Sequence, residues 1–300
     1  MNSKEESDKL LMLKVTNRCN NKCIFCCDRK PEEPIRDLDL KVIENFLGGK
    51  GESFSKVHII GGEPTLYPSI IELTEIINGM GYDDIYLETN ATNFSVKLIK
   101  TLVNNGVKNY IVGLHTVSDD IYLELTGNKK GLENCSKNVK EIVNQGGKVI
   151  VNLALQSKNY KDIGKIIDYI NMLGVNDFIV CSIIPPIFLG YSFSELVPRY
   201  SDVYQYLFNA IASNPEINIS LQYFPYCILK DMENYRLENN ASLCYIDMGG
   251  NPMSMKIDWT SDICTKRDAC KLCKYNTKCN GVFKQYIANF GWEEFKPILN

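Results

Sequence analysis

The strongest constraint on the fold is an alternation of apolar, β-branched runs with segments of helical period, which begins near Leu10 and continues to about Pro186. Most of the strand candidates are continuous apolar runs, which are typical of parallel strands buried on both faces. They lie at 11–16, 56–60, 84–88, 109–114, 148–155 and 177–184. This order predicts six consecutive βα units and therefore an α/β fold with a parallel sheet.

Helical segments separate these strands. In the segment 69–79, apolar side chains recur at Ile70, Leu73, Ile76 and Ile77, and Gly79 supplies a stop. The segments 38–47 and 162–173 also end at glycines, and 201–213 has the same apolar period. Such helices pack on a sheet, and six βα units form either an open doubly wound sheet or a partial barrel.

In both architectures the functional loops follow the carboxyl ends of the strands. The unusual residues of this chain fall at those positions, after four successive strands. They are Cys19, Cys23 and Cys26, then Gly61-Gly62-Glu63-Pro64, then Thr89-Asn90, then His115-Thr116. Independent signals therefore point to one face of the sheet.

Three cysteines lie within eight residues, at Cys19, Cys23 and Cys26. Three thiolates on one loop can surround a soft metal centre but cannot easily pair off as disulfides. Structural zinc and [4Fe–4S] clusters both need four ligands, so three cysteines leave one coordination position open. A zinc loop or a chance cluster is the simpler alternative. Cys27 follows directly and is interpreted as a bystander.

The Cys-x3-Cys-x2-Cys spacing, with Phe25 before the third cysteine, resembles the signature of the radical S-adenosylmethionine (SAM) superfamily. The resemblance implies a partial (β/α)6 TIM-like barrel. It also implies a catalytic [4Fe–4S] cluster held by the three thiolates, whose fourth iron binds SAM and whose electron cleaves SAM to a 5′-deoxyadenosyl radical. Phe25 is carried over as a residue that contacts the cofactor.

The turn Gly61-Gly62-Glu63-Pro64 resembles the family motif that contacts the SAM amino group. Paired glycines let backbone approach a ligand closely, and Glu63 is an acceptor suited to an ammonium. An ordinary strand-exit turn is the alternative.

Further SAM contacts are expected at Thr89, Asn90 and Asn152. Thr89 and Asn90 follow the third strand and could instead form a helix N-cap, whereas Asn152 lies within an apolar strand and could belong to a structural network. At the fourth strand the chain departs from the family, with Gly113 and His115 where a small polar residue and a hydrophobic-acidic pair are common.

Two histidines leave little room for histidine-based acid–base chemistry. We expect His58 to be a satisfied core histidine and leave the role of His115 open. Cys135 and Cys181 are best explained as small apolar core residues. Pro185-Pro186 should end the sixth strand.

The last third of the chain is rich in cysteine. Cys270, Cys273 and Cys279 follow a Cys-x2-Cys-x5-Cys spacing that resembles the SPASM/twitch extensions of radical SAM enzymes. Those extensions hold auxiliary [4Fe–4S] clusters; a structural zinc site is the alternative. Phe283 stands where the full pattern has its next cysteine, which indicates one auxiliary cluster only.

The expected ligands of that cluster are Cys227, Cys270, Cys273 and Cys279, with Cys244 and Cys264 in reserve. The expected organisation is a partial barrel at 10–213 and a SPASM/twitch-like domain at 214–300.

The composition limits the kinds of binding partner that can be expected. A net charge of −3 with interspersed charges gives no basic footprint for nucleic acid, and no stretch approaches the ~20 apolar residues of a membrane span. Without an apolar segment behind the charged N-terminus, we expect a cytoplasmic protein whose cysteines bind metal.

The resulting hypothesis is a radical SAM enzyme that abstracts a hydrogen atom from a ribosomally made peptide, introducing a crosslink, a thioether or an epimerised centre. An electron donor such as flavodoxin or ferredoxin would be needed, and a separate peptide-recognition protein is expected because little chain precedes the first strand. Alternatives are a radical SAM dehydrogenase or cyclase that acts on a small or nucleotide-derived molecule, and a metal-stabilised binding or electron-transfer protein.

Overall fold

The computed structural model describes residues 9–49, 54, 56–82, 84–183, 190–237, 242–246, 252–255 and 263–299. The predicted strand stop at Pro185-Pro186 and the side chain of Cys244 lie outside the described part. The strands are β1 Lys9–Lys14, β2 Lys56–Ile60, β3 Ile85–Thr89, β4 Val107–Gly113, β5 Lys148–Leu155, β6 Asp177–Ser182, β7 Asn218–Gln222, β8 Ser242–Ile246, β9 Pro252–Met255, β10 Cys264–Thr265 and β11 Val282–Phe283.

The helices alternate with the first strands, as the sequence predicts. They are α1 Leu40–Gly49, α2 Ile70–Gly79, α3 Val96–Asn104, α4 Asp119–Thr126, α5 Gly131–Asn144, α6 Ile163–Met172, α7 Phe193–Leu196, α8 Tyr200–Ser213 and α9 Lys284–Phe290. No helix in the described ranges combines the length and the apolar character needed to cross a bilayer.

The described strands form one nine-stranded sheet in the order β7-β6-β5-β4-β3-β2-β1-β8-β9, besides the small antiparallel pair β10–β11. Neighbours from β7 through β8 are parallel, and β9 is antiparallel to β8. The α/β class is therefore confirmed. In the described part β7 and β9 remain edges, so the sheet does not close into a full barrel.

One face of this sheet is sealed by the helices and the other is partly open. In β2, Val57 and Ile59 are fully buried, whereas His58 and Ile60, which alternate with them, are only partly buried. The same alternation runs through β5 and β6. The expectation of strands buried on both faces is thus met on one face only, because the open face lines an interior space.

The sheet is curved around that space. Glu88 of β3 helps to raise the pKa of the Cys181 thiol in β6, although two strands separate them in the sheet. A flat sheet would place β3 and β6 roughly 14 Å apart, where an interaction of charges is weak. The concave face, which we call the inner face, therefore brings distant strands together as a partial barrel does.

The sheet extends past the predicted boundary at 213. β7 adds to β6, and β8 adds to the opposite side of β1, where Leu11 pairs with both Val57 and Cys244. The division into 10–213 and 214–300 stays a prediction, but the two segments share one sheet.

Candidate functional site

The cysteine loop, residues 19–26, is anchored on the C-terminal end of α4. The Lys22 N–H donates to the Thr126 carbonyl at 2.6 Å. The Ile24 N–H donates to the Leu125 carbonyl at 3.0 Å. Because these bonds hold the middle of the loop, the cysteine spacing is presented by a fixed backbone rather than by a free tether.

The three thiols of the loop face a common space. Burial raises the pKa of Cys19 to about 11 and also raises those of Cys23 and Cys26, and the Cys26 thiol affects both of the others. No set of three or more His, Cys, Asp or Glu residues in the described chain is spaced for a single metal ion. A [4Fe–4S] cube does not require that spacing, because each thiolate binds a different iron. Three thiolates would leave the fourth iron of such a cube free for another ligand.

The glycine turn, residues 61–64, packs directly on the chain that enters the cysteine loop. A Cβ on Gly61 would lie 2.5 Å from the Thr16 carbonyl oxygen, and one on Gly62 would lie 2.3 Å from that of Arg18. The Glu63 N–H donates to the same Arg18 oxygen at 2.6 Å. The paired glycines therefore permit a close approach to protein backbone, and the expected contact of this turn with SAM stays a prediction.

Glu63 holds this turn against β3. Its Oε1 accepts from the Thr65 and Thr89 hydroxyls, both at 2.7 Å, and its Oε2 accepts from the Asn90 N–H at 2.7 Å. The side chain is fully buried, and burial raises the pKa of the carboxyl while these bonds oppose the rise. The carboxylate is thus engaged inside the protein, and its expected role as an acceptor for a ligand ammonium stays a prediction.

Asn90 connects the third strand to the cysteine loop. Its Nδ2 donates to Asn20 Oδ1 at 2.8 Å and lies 3.9 Å from Cys19 Sγ, and its Oδ1 accepts from the Thr92 hydroxyl at 2.6 Å. Ala91 between them has a positive φ of 54°, and its carbonyl accepts from buried Asn138 at 2.8 Å. The geometry gives Asn90 contacts with the cysteine loop, and the expected SAM contact stays a prediction.

Phe25 and Asn152 border the space next to the cysteine loop. The Phe25 ring stands edge-on to that of His115, with centroids 4.7 Å apart. His115 Nδ1 accepts from the Ala154 N–H at 3.2 Å, and burial lowers the pKa of His115 to about 4, so the ring is neutral. The buried Oδ1 of Asn152 has no hydrogen-bond partner in the described part. A bound group with a donor would satisfy that oxygen.

Two residues expected in the core lie on the inner face instead. His58 has a buried Nε2 without a hydrogen-bond partner in the described chain, 3.7 Å from Glu88 Oε2. Cys181 is only partly buried, and both Glu88 and Cys27 affect the pKa of its thiol. Sequence reasoning missed Glu88; the signal was an acid alternating with apolar residues in a strand beside the cysteine loop. Cys135, in contrast, is fully buried as expected.

A second group of cysteines surrounds a pocket in the C-terminal part. Cys270, Cys273 and Cys279 all affect the pKa of the Cys227 thiol, which burial raises to about 12. The four cysteines line one pocket, and the Gly281 N–H donates to Cys279 Sγ at 3.4 Å. These are the residues expected to bind an auxiliary cluster, and a four-thiol set fits one. Cys264 lies buried in β10 and does not line the pocket.

A protein-family model matches the N-terminal half of the chain, and curated relatives match part of the chain. The model of the radical SAM superfamily matches residues 13–170. The GTP 3′,8-cyclase of Pelotomaculum thermopropionicum is 35% identical over 131 residues, which are 40% of this chain and 39% of that protein. The corresponding enzyme of Clostridium perfringens is 28% identical over 168 residues, or 54% of this chain and 50% of that protein. The chain thus spans about half or less of these relatives.

Solved structures resemble nearly the whole chain. SuiB of Streptococcus suis, bound to the precursor peptide SuiA, has a TM-score of 0.67 at 17% identity and covers 96% of this chain and 74% of its own. Native anSMEcpe with bound AdoMet and the Kp18Cys peptide has a TM-score of 0.71 at 16% identity. The match covers 96% of this chain and 92% of the anSMEcpe chain. At such identities the likeness establishes the shared fold.

Proposed function

The chain belongs to the radical SAM superfamily, and from that premise we propose that this enzyme modifies a peptide held on the inner face of its partial barrel. Membership implies a [4Fe–4S] cluster and SAM. When bound, they supply the one-electron chemistry that removes a hydrogen atom from an unactivated C–H bond. The protein's own contribution is to bind, orient and shield these groups.

Each part of that contribution has candidate residues. The thiolates of Cys19, Cys23 and Cys26 would hold the cluster, and α4 fixes the loop that carries them. The glycine turn would offer backbone carbonyls to the SAM ammonium. Asn152, through its unpartnered Oδ1, would accept a hydrogen bond from SAM, and Phe25 would pack beside it.

In the C-terminal part, Cys227, Cys270, Cys273 and Cys279 would hold an auxiliary [4Fe–4S] cluster. Their common pocket supports this assignment, and the Gly281 N–H would stabilise the Cys279 thiolate. An electron donor is required, and flavodoxin or ferredoxin remains our proposal, as does a separate peptide-recognition protein.

The charge of the inner face is the main observation that supports a peptide substrate over GTP. GTP brings about four negative charges and would need several cations. At the carboxyl ends of the described strands the inner face offers Lys14, which is already paired with Asp28, and the acid Glu88. The match of SuiB and anSMEcpe, both solved with peptides, over 96% of the chain agrees with this choice.

A small-molecule reaction is the second candidate. It is favoured by the curated relatives, which are GTP 3′,8-cyclases, although two of them match only 40% and 54% of this chain. Calorimetric titration of the reconstituted protein with GTP separates the two. We expect no measurable binding, whereas micromolar binding of GTP would overturn the peptide assignment.

Iron counting tests the two cluster sites. After anaerobic reconstitution we expect about eight irons per chain in the wild type, and about four in each of the triple variants Cys19/Cys23/Cys26→Ala and Cys270/Cys273/Cys279→Ala. Only the variants that keep the first site should form 5′-deoxyadenosine from SAM and a reductant. Cys135→Ala, a buried cysteine outside both groups, is the matched control. Zinc in place of iron, or no 5′-deoxyadenosine from fully loaded wild type, would contradict the assignment.

A further inference from the structure

Glu88 lies in β3, on the inner face of the sheet and beside the proposed cofactor site. The next residue, Thr89, donates its hydroxyl to Glu63 of the glycine turn. On β3 the side chains of Ile85, Leu87 and Thr89 are buried on the other face, so Glu88 projects away from the helices. Asn90, two residues further along, has its Nδ2 3.9 Å from Cys19 Sγ, so a group bound to Glu88 would lie on the inner face near the cysteine loop.

The side chain of Glu88 opens onto an interior space rather than onto the outer surface. It is 48% exposed, although its strand is flanked by β2 and β4. It acts on the thiols of Cys27 and Cys181, which come from the cysteine loop and from β6. Side chains from opposite sides of the partial barrel thus face the same interior space. That space is large enough to leave the Glu88 carboxylate accessible.

The negative charge of Glu88 is not balanced within the described chain. The base within ion-pair distance is His58, whose Nε2 lies 3.7 Å from Glu88 Oε2. Burial lowers the pKa of His58 to about 4, so this ring is neutral at physiological pH. The nearby cation Lys14 is engaged by Asp28, and Asp28 and Glu63 both disfavour ionisation of Glu88. An unpaired carboxylate in such an environment has a high free-energy cost unless a bound ligand supplies a cation.

His58 adds a second unsatisfied group. Its Nε2 is buried and has no hydrogen-bond partner in the described residues, yet it points toward the same carboxylate. Buried polar atoms are normally paired, so an unpaired one beside an unbalanced charge indicates a missing polar partner.

We propose that Glu88, with His58 beside it, forms a specificity subsite that takes a cationic side chain, an ammonium or guanidinium, of the peptide substrate. This inference rests on the proposed function and names the substrate class of that site. The ligand would make a charge-assisted hydrogen bond to the accessible Glu88 carboxylate, which His58 Nε2 faces from its buried position 3.7 Å away. A basic residue of the substrate would thereby be held next to the position that reacts.

The test compares two small probes, of which one carries a terminal ammonium group and the other lacks it. Nα-acetyl-lysine amide and its neutral counterpart Nα-acetyl-norleucine amide are titrated by calorimetry into the cluster-loaded, SAM-bound protein. We expect the wild type to bind the lysine probe about tenfold more tightly, which corresponds to about 1.4 kcal/mol. Glu88→Gln, which keeps the shape of the side chain, should bind both probes equally, and Glu88→Asp should retain part of the preference.

Glu75→Gln is the matched control, because it removes the same charge from the exposed side of α2. It should keep the full preference for the lysine probe. Equal binding of both probes by wild type, or a preference that survives in Glu88→Gln, would overturn the subsite. Iron content and circular dichroism confirm that each variant is folded and loaded.

Failure of this subsite and failure of the peptide assignment give different results. If the protein binds GTP but still prefers the lysine probe through Glu88, the subsite stands and the peptide substrate is wrong. If GTP does not bind and the two probes bind equally, the peptide assignment stands and the subsite is wrong.

Discussion

At the scale of single residues, Glu63 and Glu88 show how position decides what a carboxylate does. Glu63 is fully buried and accepts hydrogen bonds from Thr65, Thr89 and Asn90, so it braces a turn. Glu88 has a neutral histidine beside it and open space in front. Burial, reinforced by Asp28 and Glu63, raises the pKa of Glu88 to about 7.

That raised pKa makes the stability of the free protein depend on pH. Because the folded state binds the Glu88 proton more tightly than the unfolded state does, the stabilisation is complete below about 4.5 and is lost as the pH rises through about 7. Between pH 6 and pH 8.5 the melting temperature of wild type should therefore fall relative to that of Glu88→Gln. Solvent screening of the half-exposed side chain keeps the difference to a few degrees.

Thermal unfolding by circular dichroism at the two pH values measures this difference. Glu75→Gln controls for the loss of a surface charge and should follow the wild type. A difference between wild type and Glu88→Gln that stays constant from pH 6 to pH 8.5 would show that Glu88 does not titrate in this range.

The sequence alone identifies some residues of the candidate site and misses others. Cys19, Cys23 and Cys26 can be found because their spacing along one loop already implies a shared centre. Glu88 and His58 could not be assigned, because their environment depends on sheet curvature and on strands far apart in sequence. The contacts of Asn90 could not be predicted for a similar reason, since its partners come from the cysteine loop.

At the scale of elements, the contact between the glycine turn and the cysteine loop is the most restrictive packing in the site. In Gly62→Ala the new Cβ would lie 2.3 Å from the Arg18 carbonyl oxygen, and that backbone cannot move without shifting Cys19. We expect the free energy of unfolding to fall by about 1–3 kcal/mol and the iron at the first site to drop.

Gly164→Ala is the control, because a Cβ there meets nothing within 4 Å and the residue lies in α6. That change should be neutral or stabilising by up to about 1 kcal/mol. Denaturant titration and iron analysis of both variants provide the comparison. Full iron loading and unchanged stability in Gly62→Ala would mean that the turn can move away from the loop.

The elements themselves were predicted well where the signal was local. Strands β2 and β5 coincide with the predicted 56–60 and 148–155, and the other four predicted strands lie within two residues of their positions over the described chain. β7 was missed because Asn218–Gln222 alternates polar and apolar residues inside a region assigned to an extension. β8 could not be foreseen, since its pairing with β1 is a contact between distant parts of the chain.

At the scale of the whole molecule, an aromatic cluster joins the C-terminal part to the barrel. Tyr286 of α9 is fully buried and stacks on Tyr200 of α8, with ring centroids 4.5 Å apart. Its hydroxyl accepts from the Tyr200 N–H at 2.8 Å and donates to Glu294. One oxygen thus satisfies groups on both sides of this contact.

Removing that oxygen should loosen the contact. Tyr286→Phe leaves the Tyr200 N–H and Glu294 without this partner, so the free energy of unfolding should fall by about 1–3 kcal/mol. Tyr191→Phe, at a side chain that is exposed, should have little effect. Urea denaturation followed by circular dichroism measures both, and equal midpoints for Tyr286→Phe and wild type would show that the hydroxyl contributes nothing net.

The position of β8 has a consequence for biosynthesis. β1 receives one neighbour from β2 early, but its other edge waits for β8, which is synthesised only after β2 to β7. Until then the nascent chain carries an unpaired, apolar strand edge directly before the cysteine loop, a hazard for mispairing and for premature oxidation. Chaperone demand, and the moment at which iron can safely be delivered, should therefore depend on when β8 is synthesised.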